Sequence, residues 1–331
     1  MEFVERIDPE LRESFLRFPI LGDLTLDPPR ARRLSAEAFE GAGGDKRPSP
    51  DIARRDLLVT RSDTSAMQVS LRVYEPLERS ELLPGILFVH GGGFVCGTPA
   101  EFDSFCDHLV EAVDAVVVSV AYRLAPEHPF PAGPEDAYAA LKWLFASADR
   151  VGVDSSRIAI VGTSAGGGIA AAVALIARDR GEVEPSFLMP LYAALDDRHT
   201  TQSSREITDP RTWNRHVSLR AWKAYLGYGG DESVSSYAAP ARATDVSRLP
   251  PTFMMVGELD LLRDENLEFA SRLVRSSVPT EFLLVPGAYH AFEVLAPAAQ
   301  ISREVIEARD KALRRALHPH RDHSPFRPGD A

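Results

Sequence analysis

The stretch Ile158-Ala-Ile-Val-Gly-Thr-Ser-Ala-Gly-Gly-Gly168 decides how the rest of the chain is read. Ile158 to Val161 form a short, β-branched strand pattern, and the Ala-rich run from Ile169 to about Ala177 forms a helix pattern. Between them stands Gly162-Thr-Ser-Ala-Gly166, a Gly-x-Ser-x-Gly turn. A serine at the tip of so sharp a strand-to-helix turn is held in a strained conformation with its hydroxyl exposed. Gly162 and Gly166 omit the Cβ atoms that would collide where strand and helix approach. Ser164 is therefore the first candidate nucleophile.

Working outward, short strand patterns alternate with helix patterns. Short strands are predicted at 56–61 and 68–74, separated by a turn at Ser62 to Ser65, and Val69, Leu71 and Val73 alternate with polar Ser70 and Arg72 as in a half-buried strand. Gly85-Ile-Leu-Phe-Val-His90 is a continuous apolar run suited to a buried parallel strand. Further strands are predicted at 115–121, 187–191, 252–257 and 280–285. Helices are predicted at 102–112, 134–146, 264–275 and 298–317. This alternation implies right-handed crossovers and a mainly parallel sheet, an α/β fold class.

Two segments stand outside the alternation. In residues 1–50, Phe3, Ile7, Leu11 and Phe15 recur every four residues and predict one amphipathic helix, with a second over 30–39. Pro19, Pro28-Pro29 and the Gly-rich run at 41–44 punctuate this segment, which reads equally as packing or as a lid. In residues 196–250, Ser218 can cap a helix that Gly227 ends. Trp213, Trp222, Tyr225 and Tyr228 crowd this insertion, and helix core is the favoured role for them over substrate contact. The His-rich end, 318–323, sits in a Pro-punctuated tail and reads as a frayed terminus rather than a metal site.

A serine hydroxyl needs a base to take its proton, normally a histidine held by a buried carboxylate. Asp260 follows the 252–257 strand and His290 follows the 280–285 strand, in Tyr289-His-Ala-Phe292. Glu258 and Asp264 compete with Asp260, but Asp264 suits the cap of the next helix and Glu258 suits a solvent-facing position. Acyl transfer also places negative charge on the former carbonyl oxygen, which fixed backbone N–H groups stabilise. The loop His90-Gly-Gly-Gly-Phe94 suits that task, with Gly91 and Gly92 as donors and Ala165 as the third. His90 suits fixing the loop by hydrogen bonding.

With these motifs in order, the chain resembles the hormone-sensitive-lipase-like family of α/β-hydrolases, the bacterial family IV carboxylesterases. The resemblance runs from about Pro84 to the last helix. It rests on His90 to Phe94, Tyr122-Arg-Leu-Ala-Pro-Glu-His-Pro-Phe-Pro131, Glu135-Asp-Ala-Tyr138, Gly162 to Gly167 and Leu249-Pro-Pro251. Asp260 with Arg263-Asp-Glu265, and Tyr289 to Phe292, complete the set. Thr163 places the chain with the Gly-Thr-Ser-Ala-Gly branch, and Leu261 stands where proline is frequent.

The resemblance implies an α/β-hydrolase fold with a central sheet of about eight strands and a helical cap. It divides the chain into N-terminal cap helices (1–50), a first core part (51–195), a cap insertion (196–250) and a second core part (251–331). It further implies a serine carboxylesterase acting on short-chain acyl esters, with Ser164, Asp260 and His290 catalytic, and no cofactor or metal. A homodimer formed through an edge strand is open to such a chain. The same triad acting on an amide, a lactone or an acetylated small molecule is the alternative activity. A small-molecule receptor is the alternative class, and such a receptor is expected to have lost a triad member.

The remaining bounds agree. A formal net charge of −11 argues against nucleic acid or an anionic membrane as partner and leaves a small-molecule ester as the expected one. The two cysteines, Cys96 and Cys106, exclude a disulfide framework and suit a reducing cytoplasm. Buried packing is the favoured role for Cys96. The charged start Met1 to Arg6 has no signal-like apolar core, so a cytoplasmic location is expected.

Overall fold

Continuous apolar strands must be covered on both faces, and the topology of the chain does this with two helical layers. The computed structural model describes residues 3–18, 22, 24–41, 49–60, 68–227 and 233–319. The expected turn at 62–65, residues 42–44 of the Gly-rich run, Pro19, Tyr228 and the tail beyond residue 319 lie outside them.

Eight strands form one sheet: β1 (Ile52–Thr60), β2 (Gln68–Pro76), β3 (Leu83–Val89), β4 (Val116–Ala121), β5 (Val153–Thr163), β6 (Phe187–Leu191), β7 (Thr252–Gly257) and β8 (Thr280–Val285). Their order is β1-β2-β4-β3-β5-β6-β7-β8. Only β2 runs antiparallel to its neighbours, and β4, β3 and β5 to β8 are parallel. The fold is that of an α/β-hydrolase, as the resemblance implied.

The helices are α1 (Phe3–Arg6), α2 (Pro9–Arg17), α3 (Pro28–Gly41), α4 (Asp103–Val113), α5 (Ala132–Ala146), α6 (Ala148–Val151), α7 (Ala165–Arg180), α8 (Ser203–Glu206), α9 (Arg215–Leu226), α10 (Arg263–Arg275), α11 (Phe292–Leu295) and α12 (Gln300–Leu317). Strand β3 shows how the layers share the sheet. Its side chains alternate, so Leu87 and Val89 pack with Leu141 of α5 and Val173 of α7 on one face. Ile86 and Phe88 pack with Leu109 of α4 and Leu313 of α12 on the other. All seven β3 residues are buried, which explains why its sequence is apolar throughout.

Three local expectations need correction. The single N-terminal helix is two, because Asp8 caps α2 through its side chain and Pro9 takes the first helical position. Proline cannot continue α1 across that point, yet Ile7, Leu11 and Phe15 still share one buried face. The insertion helix α9 begins earlier than Ser218. Asn214 caps it, accepting from the amides of His216 and Val217 at 3.0 and 3.2 Å. Ser218 is buried inside the helix and bonds His199 Nε2 at 2.8 Å instead. His318 is not frayed: it is buried, with Nε2 2.7 Å from the Val113 carbonyl oxygen.

Of the N-terminal segment, α1 and α2 pack onto the core, with the Phe15 ring 5.1 Å from that of Tyr289. Helix α3 approaches the Gly-rich loop, where Arg32 donates to the carbonyl oxygens of Val95 and Ala125 at 2.8 and 3.2 Å. On the loop's other side, Phe94 stacks on Tyr225 of α9 at 4.0 Å and meets Trp222 at 5.1 Å. No described helix is long and apolar enough to cross a membrane.

Candidate active site

The Gly-x-Ser-x-Gly turn joins β5 to α7, and Ser164 occupies its tip with φ 54° and ψ −121°. A left-handed φ is costly for a residue with a Cβ and persists only where the surroundings impose it. Here the Ser164 amide donates to the Leu191 carbonyl at 2.9 Å, and its own carbonyl accepts from Gly168 and Ala194 at 3.1 and 3.0 Å. Close approach makes glycine necessary at position 166, where a Cβ would stand 2.2 Å from the Val89 oxygen. The turn thus presses the start of α7 against the end of β3, whose next residues are the Gly-rich loop.

That packing brings three loops together at the carboxyl ends of β5, β7 and β8. Ser164 Oγ lies 2.9 Å from His290 Nε2. His290 Nδ1 lies 2.7 Å from Asp260 Oδ2. A carboxylate accepts, so Nδ1 carries the proton and Nε2 is left to accept from the serine hydroxyl. Asp260 is fully buried, and its second oxygen accepts from the Leu262 amide at 2.9 Å.

The competing carboxylates are engaged elsewhere. Glu258 is not free in solvent: its side chain accepts from the Gly287 amide at 2.9 Å. Asp264 accepts from the Ser203 amide at 2.7 Å and pairs with Arg263 at 2.7 Å. It ties α8 to α10 rather than capping α10, whose preceding residue Leu262 makes no side-chain cap.

The Gly-rich loop is built around His90. This ring is buried, stacks on Tyr122 at 4.4 Å and sets Nδ1 2.8 Å from the Gly91 oxygen. The Tyr122 hydroxyl donates to the His90 carbonyl at 3.0 Å. Burial pushes the His90 imidazole down to about 4, so it is neutral near pH 7. The Val95 and Cys96 amides close the loop on the Gly92 carbonyl at 3.1 and 2.8 Å. Gly92 and Gly93 have φ of 121° and 60°, backbone that a larger residue adopts only under strain. Among the described residues, no backbone carbonyl accepts from the amides of Gly91, Gly92 or Gly93. Ala165, at the first position of α7, likewise has an amide that the helix itself cannot satisfy. The connection that carries Tyr122 is held by Arg123, which makes three hydrogen bonds to Asp136 at 2.8 to 3.0 Å.

Two further aromatic residues border His290, of which Tyr192 carries no sequence signal and Trp213 belongs to the aromatics of the insertion. Tyr192 follows β6 and meets the His290 ring edge-on at 5.1 Å, while its hydroxyl donates to buried Glu293 at 2.7 Å. Burial pushes the Glu293 carboxyl up, toward its neutral form. Trp213 is buried in the same apolar cluster as Trp222 and Tyr225, as expected of the insertion's aromatics, but it lies outside α9 and also borders the catalytic histidine. The Trp213 ring centroid is 6.1 Å from that of His290. Cys96 and Cys106 are buried and unbridged, and burial pushes the Cys96 thiol up to about 12.

The chain is similar to known hydrolases. A family model described as the alpha/beta hydrolase fold matches residues 86–294. The chain is 34% identical over 272 residues to the esterase LipI of Mycobacterium tuberculosis, covering 81% of this chain and 84% of that one. It is 36% identical over 254 residues to the carboxylesterase NlhH of the same organism, covering 76% and 79%. Among solved structures, a bacterial heroin esterase superposes with a TM-score of 0.90 at 36% identity, covering 96% of this chain and 99% of that one.

Proposed function

The chain belongs to the hormone-sensitive-lipase-like family of α/β-hydrolases and is a carboxylic ester hydrolase, and from that premise we propose that Ser164, His290 and Asp260 hydrolyse short-chain acyl esters through an acyl-enzyme. The observation that carries this reading is the unbroken hydrogen-bonded series Ser164 Oγ, His290 Nε2, His290 Nδ1, Asp260 Oδ2.

In this mechanism Ser164 Oγ bonds to the ester carbonyl carbon as His290 Nε2 takes the hydroxyl proton. The carbonyl π electrons move onto oxygen, and the oxyanion takes hydrogen bonds from the amides of Ala165, Gly91 and Gly92. Each such donor typically supplies about 3 kcal/mol of transition-state stabilisation. Buried Asp260 stabilises the imidazolium that forms. The tetrahedral species collapses, the C–O bond to the alcohol breaks, and the alkoxide receives the proton from His290. Water then attacks the acyl carbon with His290 again as base, and Ser164 is released with the carboxylic acid. No step requires a metal or a cofactor.

The preference for short acyl chains is supported by the family resemblance. An organophosphate ester tests the nucleophile: one equivalent is expected to label Ser164, read by peptide mass spectrometry. Rates across ethyl esters from acetate to decanoate test the chain length, with the maximum expected at or below butyrate. Labelling elsewhere, or a maximum at decanoate, contradicts the reading.

A further inference from the structure

One aromatic side chain of the insertion's buried cluster also borders the catalytic histidine and has no part in the reaction steps. Trp213 stands immediately before Asn214, the cap of α9, and is 8% exposed. The six-membered edge of its indole presses on the Gly-rich loop, so that a Cβ on Gly93 would stand 2.5 Å from Trp213 Cη2. Its ring is inclined by 33° to the His290 imidazole. The indole therefore spans the gap between the oxyanion loop and the histidine. Its Nε1 is buried and has no hydrogen-bond partner among the described residues. A buried tryptophan normally pairs its N–H. An indole with an unpaired donor contributes the shape of its ring to the site rather than a hydrogen bond.

The side of the site follows from the chemistry. His290 must return its proton to the departing alkoxide, so the alcohol leaves along the His290 side of the tetrahedral centre. The carbonyl oxygen faces the glycine loop. A wall that touches both therefore borders the alcohol rather than the acyl chain. On the reading that Ser164 and His290 run the reaction, we propose that Trp213 is the specificity-determining wall of the leaving-alcohol subsite and limits the alcohol to small, slender groups.

Ethyl acetate and cyclohexylmethyl acetate test this, since both release primary alcohols and differ in bulk. Rates are normalised to the Ser164 sites titrated by an organophosphate, which removes any misfolded fraction. Trp213→Ala is expected to raise the kcat/KM ratio of the bulky over the small acetate by about tenfold or more. Its ratio for ethyl hexanoate over ethyl acetate is expected to stay within about threefold of the unaltered enzyme. Trp213→Phe, which keeps a ring and loses the N–H, is expected to stay closer to the parent than to the alanine variant. An unchanged alcohol ratio, a larger shift in the acyl ratio, or a phenylalanine variant that behaves like alanine overturns the proposal. Failure to titrate Ser164 at all would instead overturn the assignment of the nucleophile.

Discussion

Fully buried Asp260 sets Oδ2 2.7 Å from His290 Nδ1, and its other oxygen is held by the Leu262 amide at 2.9 Å. The carboxylate is thus fixed at both oxygens before it meets the imidazole, and it dictates which nitrogen carries the proton. Asp260→Asn keeps the volume but presents an amide that can donate to Nδ1 and favour the wrong tautomer. We expect kcat to fall by about 10³- to 10⁴-fold with little loss of structure, measured with p-nitrophenyl butyrate. A fall of less than tenfold would show that another group orients His290.

His90 links the glycine loop to stability as well as to geometry. Its imidazole, buried and held at about 4, binds a proton less readily than in the unfolded chain, where histidine titrates near about 6.5. Between those values the unfolded state binds more protons, so stability falls as pH falls. The contribution is complete above about pH 6.5 and lost on approaching about pH 4, on the order of 3 kcal/mol in full. Denaturant unfolding at pH 7 and pH 4.5 should show a smaller pH difference for His90→Asn than for the parent. Equal differences would contradict this role.

Gly166 fixes how closely α7 approaches β3. A methyl group there would overlap the backbone oxygens of Val89 and His90, at 2.2 and 2.3 Å, and neither can move without displacing the glycine loop. Gly166→Ala is expected to cost about 3 kcal/mol or more and to remove esterase activity, read by denaturant unfolding and initial rates. Wild-type stability in this variant would show that the elbow is looser than described.

The cysteines should be silent in the native protein. Cys96 is buried and its thiol is pushed up to about 12, while burial likewise raises the Cys106 thiol well above its ordinary value. A thiol reagent at neutral pH is expected to leave activity intact and to count two thiols only after unfolding. Rapid native labelling with loss of activity would contradict that.

The parts of the molecule legible in the sequence are those whose signal is local. Buried parallel strands such as β3 need unbroken apolar runs, and catalytic loops follow them directly, so Ser164, Asp260 and His290 could be ordered before any contact was known. The division between α1 and α2 was also local, written in Asp8-Pro9, but the four-residue apolar repeat overrides it on inspection because both helices bury one continuous face. Asn214 and Ser218 are both good caps, and only the long-range bond from Ser218 to His199 decides between them. Trp213 resembles its neighbours Trp222 and Tyr225 in sequence. What separates it is contact with Gly93 and His290, residues 120 and 77 positions away in the chain.

The most direct measurement is turnover of p-nitrophenyl butyrate by Ser164→Ala, with circular dichroism and the melting temperature recorded on the same sample. The account predicts a loss of about 10⁴-fold or more in kcat with the fold intact, since no other described side chain is hydrogen-bonded to His290 Nε2. Esterase activity retained in the folded variant would contradict it.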